Sequence, residues 1–245
     1  VREYADDSVV ESYADAVDKI GLWESEKLIF GKYLKKDMRI LDLGCGAGRT
    51  TFNLYKLGYA DIIGLDLSER MISACRKRAA LENINIRFIV GNACGIDLPD
   101  SSFDACIFSF NGLMTIPKKE NRSKAFREVH RLLKESGLFI FTTHDINNSR
   151  FESYWEEERK RWENGTQDKR LHEYGDLIFT DRHSDTETEG FVHIPSYQEI
   201  RLEAEKSGFT VVEQSVRSAL CDENEAVLNQ SADCVFWVLQ KSPGA

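Results

Sequence analysis

The chain has 245 residues, 42% hydrophobic and 30% charged, enough to bury a sizeable core and typical of soluble globular proteins. Its formal net charge of −9, with no basic patch, argues against a nucleic-acid partner. No apolar run nears the ~20 residues that span a bilayer, and the acidic first seven residues lack the basic and apolar parts of a signal peptide, so we expect a cytoplasmic protein with no membrane partner.

Apolar spacing predicts helix over residues 8–35, interrupted at Gly21. A short apolar strand follows at 38–43, then a helix over 47–57 that Gly58 stops. A second strand is expected at 62–66, a helix at 69–81 with Ser68 as N-cap, and a third strand at 86–90. The fourth strand, 103–109, leads to an amphipathic helix at 119–134, a stop at Gly137 and a fifth strand at 138–143. This alternation, with nearly continuous apolar strands, predicts a parallel sheet covered on both faces. Residues 146–175 break the pattern, being charged and aromatic, and two strands are expected at 176–181 and 187–194. A helix from the Ser196 cap to Lys206 and strands at 209–214 and 234–240, with a polar stretch between them, complete the chain.

The run Ile40-Leu-Asp-Leu-Gly-Cys-Gly-Ala-Gly-Arg49 carries most of the functional information. Glycines at a strand-to-helix turn let backbone approach a ligand. A dinucleotide turn would have its third glycine at position 49, where Arg stands, and Asp42 would oppose a pyrophosphate. A cationic or zwitterionic ligand suits this turn better. Asp66, at the end of the next strand, is placed to accept from two ribose hydroxyls. Asn92, in Val90-Gly-Asn-Ala-Cys94, can pair with an adenine edge. The cysteines Cys45, Cys75, Cys94, Cys106, Cys221 and Cys234 form no C-x-x-C pair, so buried free thiols are expected, with no metal site or disulfide framework.

Together these motifs resemble the class I S-adenosylmethionine-dependent methyltransferases. Asp42-Leu-Gly-Cys-Gly-Ala-Gly48, Asp66, Gly91-Asn-Ala93, Phe103-Asp-Ala-Cys-Ile-Phe-Ser-Phe-Asn111 and Lys134-Glu-Ser-Gly-Leu-Phe-Ile-Phe141 fall in that family's order. The resemblance covers residues 37–145 by motif and 196–240 by element order, and departs at Asn92, where the family usually has Asp. It implies a Rossmann-like, seven-stranded, mostly parallel α/β sheet with one antiparallel strand near the C-terminus, and a lid insertion after strand five. The units it implies are an N-terminal helical cap at 1–36, a cofactor core at 37–145, a substrate lid at 146–195 and a closing segment at 196–245.

The resemblance also implies the ligands. S-adenosylmethionine is the expected donor and S-adenosylhomocysteine the product. Asp42 and the turn Gly44-Cys45-Gly46 would hold the methionine part, Asp66 the ribose, Leu67 and Met71 the adenine face, and Asn92 and Ala93 its edge. Ser109 and Phe110 would complete the methionine pocket, with Tyr13 covering the cofactor or packing in the core. Asn111 and Trp155 are candidates to touch the acceptor, and His144 to serve as a base for a hydroxyl acceptor. His172, His183 and His193 read as structural. The expected acceptor is a small molecule methylated on nitrogen or oxygen, with the protein a monomer or homodimer. A protein or RNA methyltransferase and a non-catalytic cofactor-binding protein are the alternatives.

Overall fold

A computed structural model describes residues 7–183 and 186–244. The described strands are β1 (Ile40–Leu43), β2 (Ile62–Asp66), β3 (Arg87–Val90), β4 (Phe103–Phe108), β5 (Leu133–Thr143), β6 (Asp176–His183), β7 (Thr186–His193), β8 (Phe209–Val216) and β9 (Val235–Lys241). The helices are α1 (Asp7–Lys19), α2 (Glu24–Tyr33), α3 (Arg49–Lys56), α4 (Glu69–Leu81), α5 (Lys119–Leu132), α6 (Glu152–Glu163), α7 (Tyr197–Lys206), α8 (Arg217–Leu220) and α9 (Glu225–Gln230).

Seven strands form one sheet in the order β3-β2-β1-β4-β5-β9-β8, while β6 and β7 pair as a separate hairpin. Pairing is parallel from β3 through β5, and β9 runs antiparallel to both β5 and β8. The period-2 alternation of a strand sends Ile40 to one face of the sheet and Leu41 and Leu43 to the other. The first face packs under α1 to α4 through Val17, Phe30, Phe52 and Ile72. The second packs under α5 and α7 through Phe126, Val129, Ile200 and Ala204. Both faces are therefore covered, which explains why β1 and β5 read as apolar runs without alternation.

The fifth strand differs from the expectation. It starts at Leu133, directly after α5, instead of after a stop at Gly137. Leu133 pairs with Phe103 and Leu138 with Ala105, so residues 134–137 are extra length looped out of the ladder as a bulge. Gly137 lies in that bulge, where a Cβ would come 2.9 Å from the Lys134 carbonyl oxygen. The polar stretch before β9 holds α8 and α9, and the charged insertion holds α6, none of which the periodicity announced.

The hairpin is fastened to the core by a buried ionic network. His193 Nδ1 lies 2.8 Å from Asp176 Oδ1, and its Nε2 lies 3.1 Å from Glu199 Oε1 on α7. Burial alone would lower the His193 pKa, but the hydrogen bonds to Asp176 and Glu199 outweigh it and the pKa is raised. Arg122 on α5 closes the network with a 2.8 Å bond to Glu173. The ligand-type atoms of Glu173, Asp176 and His193 lie within 4.8 Å of one another, and each of the three is engaged in this network.

Candidate active site

The chain runs outward from β1 to β3, then returns to lay β4 on the other side of β1. Loops leaving β1 and β4 diverge there, opening the crevice that doubly wound sheets use for ligands. A cleft of about 1280 Å³ lies at this point. Every site residue of the sequence reading lines it: Tyr13 from α1, Asp42, Gly44, Cys45 and Gly46 from β1 and its turn, and Asp66, Leu67 and Met71 from β2 and α4. Asn92 and Ala93 after β3, Ser109, Phe110 and Asn111 after β4, His144 after β5 and Trp155 on α6 complete the set.

The glycine turn is built of left-handed backbone, with φ of +59° at Gly44, +54° at Gly46 and +91° at Gly48. A Cβ on Gly44 would stand 2.4 Å from the Phe108 ring, whereas one on Gly46 would meet Tyr13 at 3.4 Å. Gly44→Ala is accordingly expected to cost roughly 2–4 kcal/mol of unfolding free energy, combining the left-handed penalty with overpacking. Urea denaturation measures this; a loss of only about 1–2 kcal/mol would mean that the Phe108 ring gives way and the left-handed penalty alone remains, and a loss below about 0.5 kcal/mol would overturn both.

Two carboxylates flank the turn. Asp42 is buried, receives the Thr51 hydroxyl at 2.5 Å, and has its pKa pushed by burial from 3.8 up to about 7. Asp66 accepts the Gly46 N–H at 2.9 Å and the Ser68 N–H at 2.8 Å. Burial raises the Asp66 pKa, and the backbone donors of Ser68, Gly46 and Leu67 oppose that rise. Arg49, standing at the third-glycine position of a dinucleotide turn, is committed elsewhere. It makes a two-pronged ion pair with Glu26 on α2, at 2.6 and 2.7 Å, and donates to the Gly21 carbonyl.

Beyond the turn, Leu67 is 52% exposed, an apolar side chain left open beside Asp66. Met71 is buried, packed with Val9 and Ala47 beneath α1, and Tyr13 packs against this group. Asn92 Oδ1 accepts the Cys94 N–H at 2.9 Å, so its side chain also shapes the turn.

Past β4 the backbone is strained. Phe110 and Asn111 have φ of +54° and +58°, unusual for residues with side chains. Phe110 is held edge-on to Trp23, with ring centroids 5.6 Å apart, and the Asn111 N–H donates to Thr142 Oγ1 at 2.8 Å. His144 Nδ1 lies 3.1 Å from the Asp233 carbonyl oxygen, which can only accept, so Nδ1 carries the proton. Burial lowers the His144 pKa and keeps the ring neutral, with the Asp233 carbonyl opposing and Arg217 adding to the drop. The remaining Nε2 lone pair faces Asn111 Nδ2 at 3.1 Å.

The insertion closes the far end. Trp155 is buried and packs edge-on to Tyr154 and Tyr174. Leu177, Phe179, Val192 and Ile194, from the hairpin and the residue after it, line the same cleft. The sequence reading missed Asp145 and residues 229–233 as lining. Asp145 immediately follows His144 at the end of β5, and that adjacency was a usable signal. The 229–233 segment lies 85 or more residues beyond β5, and nothing local marked it.

The comparisons with known proteins agree with this geometry. The methyltransferase-domain family model matches residues 34–185. A sterol 24-C-methyltransferase of Neurospora crassa is 32% identical over 108 residues, covering 43% of this chain and 27% of that protein. An eEF1A lysine and N-terminal methyltransferase of Bos taurus is 28% identical over 112 residues, covering 46% of this chain and 16% of that protein. The chain thus spans less than half the length of the curated relatives it matches first. Among solved structures, a methyltransferase of Methanosarcina mazei superposes with a TM-score of 0.71 at 25% identity, covering 91% of this chain and 99% of that one.

Proposed function

The chain belongs to the S-adenosylmethionine-dependent methyltransferase family, and from that premise we propose that it moves the cofactor's methyl group onto a small-molecule acceptor held beside it. The observation that carries this reading is the switch-point cleft, which joins the left-handed glycine turn, Asp66 and the strained β4 loop in one cavity. The residues fit the cofactor's chemistry. Asp42 and Asp66 suit a cationic amino acid head and a ribose, and Leu67 offers an open apolar face to adenine. A pyrophosphate fits poorly, because Arg49 is spent on Glu26.

In this reading Asp66 accepts the ribose hydroxyls and Asn92 and Ala93 border the adenine, with Met71 behind it. Backbone of Gly44, Cys45 and Gly46, with Asp42, holds the methionine part, and Ser109 and Phe110 close it from the β4 side. Tyr13 covers the turn. The bound cofactor supplies an activated methyl carbon on a sulfonium. The protein's task is then to align the acceptor in line with that carbon and exclude water, worth effective molarities up to ~10⁵–10⁸ M in favourable cases. Residues 146–195 serve as the acceptor lid, with Trp155 and Asn111 against the acceptor. The six cysteines are free, which supports a reducing, cytoplasmic setting.

Isothermal titration tests the donor. S-adenosylmethionine and S-adenosylhomocysteine are expected to bind in the micromolar range and NAD at least a hundredfold more weakly. Tighter NAD binding would overturn the assignment.

A further inference from the structure

Resting on the methyltransferase reading above, we infer that the acceptor is an amine: an apolar or aromatic body with a basic nitrogen and no anionic group, methylated on that nitrogen. The cleft exceeds the ~300–1,000 Å³ usual for one ligand, which leaves room for a second molecule beside the cofactor. Its far end is walled by aromatic rings. Trp155 is buried there, while Tyr154 and Phe179 keep 38% and 36% of their surface open. Such faces attract a cation as well as an apolar body.

The charged side chains that line the cleft on the His144 side are both acids, with the buried Arg217 behind them. Asp145 and Asp233 line it. Asp233 is held by the Ser218 N–H and hydroxyl and lies 3.8 Å from Arg217 Nε. Asp145 accepts the Asn147 N–H and side-chain amide on Oδ1 and shares a hydrogen bond with the Tyr197 hydroxyl, and among the described residues no Lys or Arg pairs with it. The cations lining the cleft stand elsewhere. Arg49 is locked to Glu26, Arg70 is in the first turn of α4 beside Leu67, and Lys124 on α5 acts on Cys94 after β3. A carboxylate or phosphate on the acceptor would therefore enter a negative, partly apolar space.

The proton balance separates amine from hydroxyl. An ammonium acceptor first loses one proton to water. The neutral nitrogen then attacks, the N–C bond forms, and the C–S bond breaks with its electron pair passing to sulfur. The product ammonium releases its proton to solvent afterwards, so the transfer itself needs no base. A hydroxyl forgoes roughly 10²–10⁴-fold in rate without one. His144 is not free for that work, because its Nδ1–H is directed at the Asp233 carbonyl and its Nε2 lone pair at Asn111 Nδ2.

The test uses three probes with the same body: 2-phenylethylamine, 2-phenylethanol and 3-phenylpropionate, titrated by calorimetry into the protein saturated with S-adenosylhomocysteine. The amine is expected to bind at least tenfold tighter than the alcohol and the acid. Asp145→Asn should erase that advantage while leaving the alcohol's affinity unchanged. Equal affinities, preference for the acid or the alcohol, or no binding by any probe overturns the inference. Saturation with S-adenosylhomocysteine is measured first on the same sample. Failure at that stage sinks the methyltransferase reading, and failure only at the second stage sinks the amine assignment alone.

Discussion

Replacing Asp66 by alanine is expected to weaken S-adenosylmethionine binding by two to three orders of magnitude. The carboxylate sits at the end of β2, in the cleft, with Gly46 N–H on Oδ2, Ser68 N–H on Oδ1 and the Leu67 N–H also turned to the group. Each oxygen keeps a second lone pair, so two ribose hydroxyls can be accepted side by side. Hydrogen bonds to a charged group are worth roughly 1.5–3 kcal/mol each, so losing two near the lower end of that range gives the expected drop. The substitution also frees the Gly46 N–H, which loosens the turn that approaches the methionine part. Asp66→Asn separates these effects. Its amide oxygen can still receive a backbone N–H, so the fold should be kept while affinity falls about tenfold or more as the charge is lost. Calorimetric dissociation constants, with far-UV circular dichroism as the check on folding, decide the matter. An unchanged constant in Asp66→Ala would remove the residue from the ribose role.

The parts of this molecule that were readable in sequence are those where local chemistry and global position coincide. β2 ends at Asp66 and α4 starts after Ser68, as expected, because a strand-end acid and a capping hydroxyl leave little freedom. The Ser196 cap of α7 is of the same kind. The Gly137 stop misled because a glycine after an amphipathic run looks the same whether it caps a helix or eases a bulge. Only pairing with Phe103 tells them apart. The charged α6 buries Trp155 and Glu158 alone, too few to leave a helical stripe. In the cleft, the lining from Asp42 to Asn111 was legible because it clusters on the turns that follow successive strands. Asp145, Val192, Ile194 and Asp233 were not, since they join Trp155 and His144 in the lining only through the sheet order and the hairpin.

Asp42→Asn is expected to stabilise the free protein and weaken the cofactor complex together. A carboxyl that ionises near 3.8 in the unfolded chain but stays protonated to about 7 when folded means that the native state binds more protons across that interval. Stability therefore falls as pH rises through the window, and above neutral pH the cost reaches about 4 kcal/mol. Asparagine carries no charge to desolvate, and its oxygen can keep the Thr51 hydroxyl that Asp42 receives. Its Nδ2, unless it finds an acceptor, takes back about 1–3 kcal/mol, so a net gain of roughly 1–3 kcal/mol is expected by urea unfolding at pH 8. The gain should shrink at pH 5, where the native wild type already holds the proton. The cofactor reverses the balance. Its positive charge draws the proton off Asp42, so wild-type affinity should rise up to about tenfold per pH unit between pH 5.5 and 7, with proton release on binding. The asparagine variant should bind more weakly at pH 7 and lose that slope. Equal stability and an unaltered slope would show that Asp42 neither strains the free fold nor meets the cofactor's charge. The acid next to the glycine turn would then be a buried structural group held by Thr51, and the preference for a cationic ligand would rest on Asp66 alone.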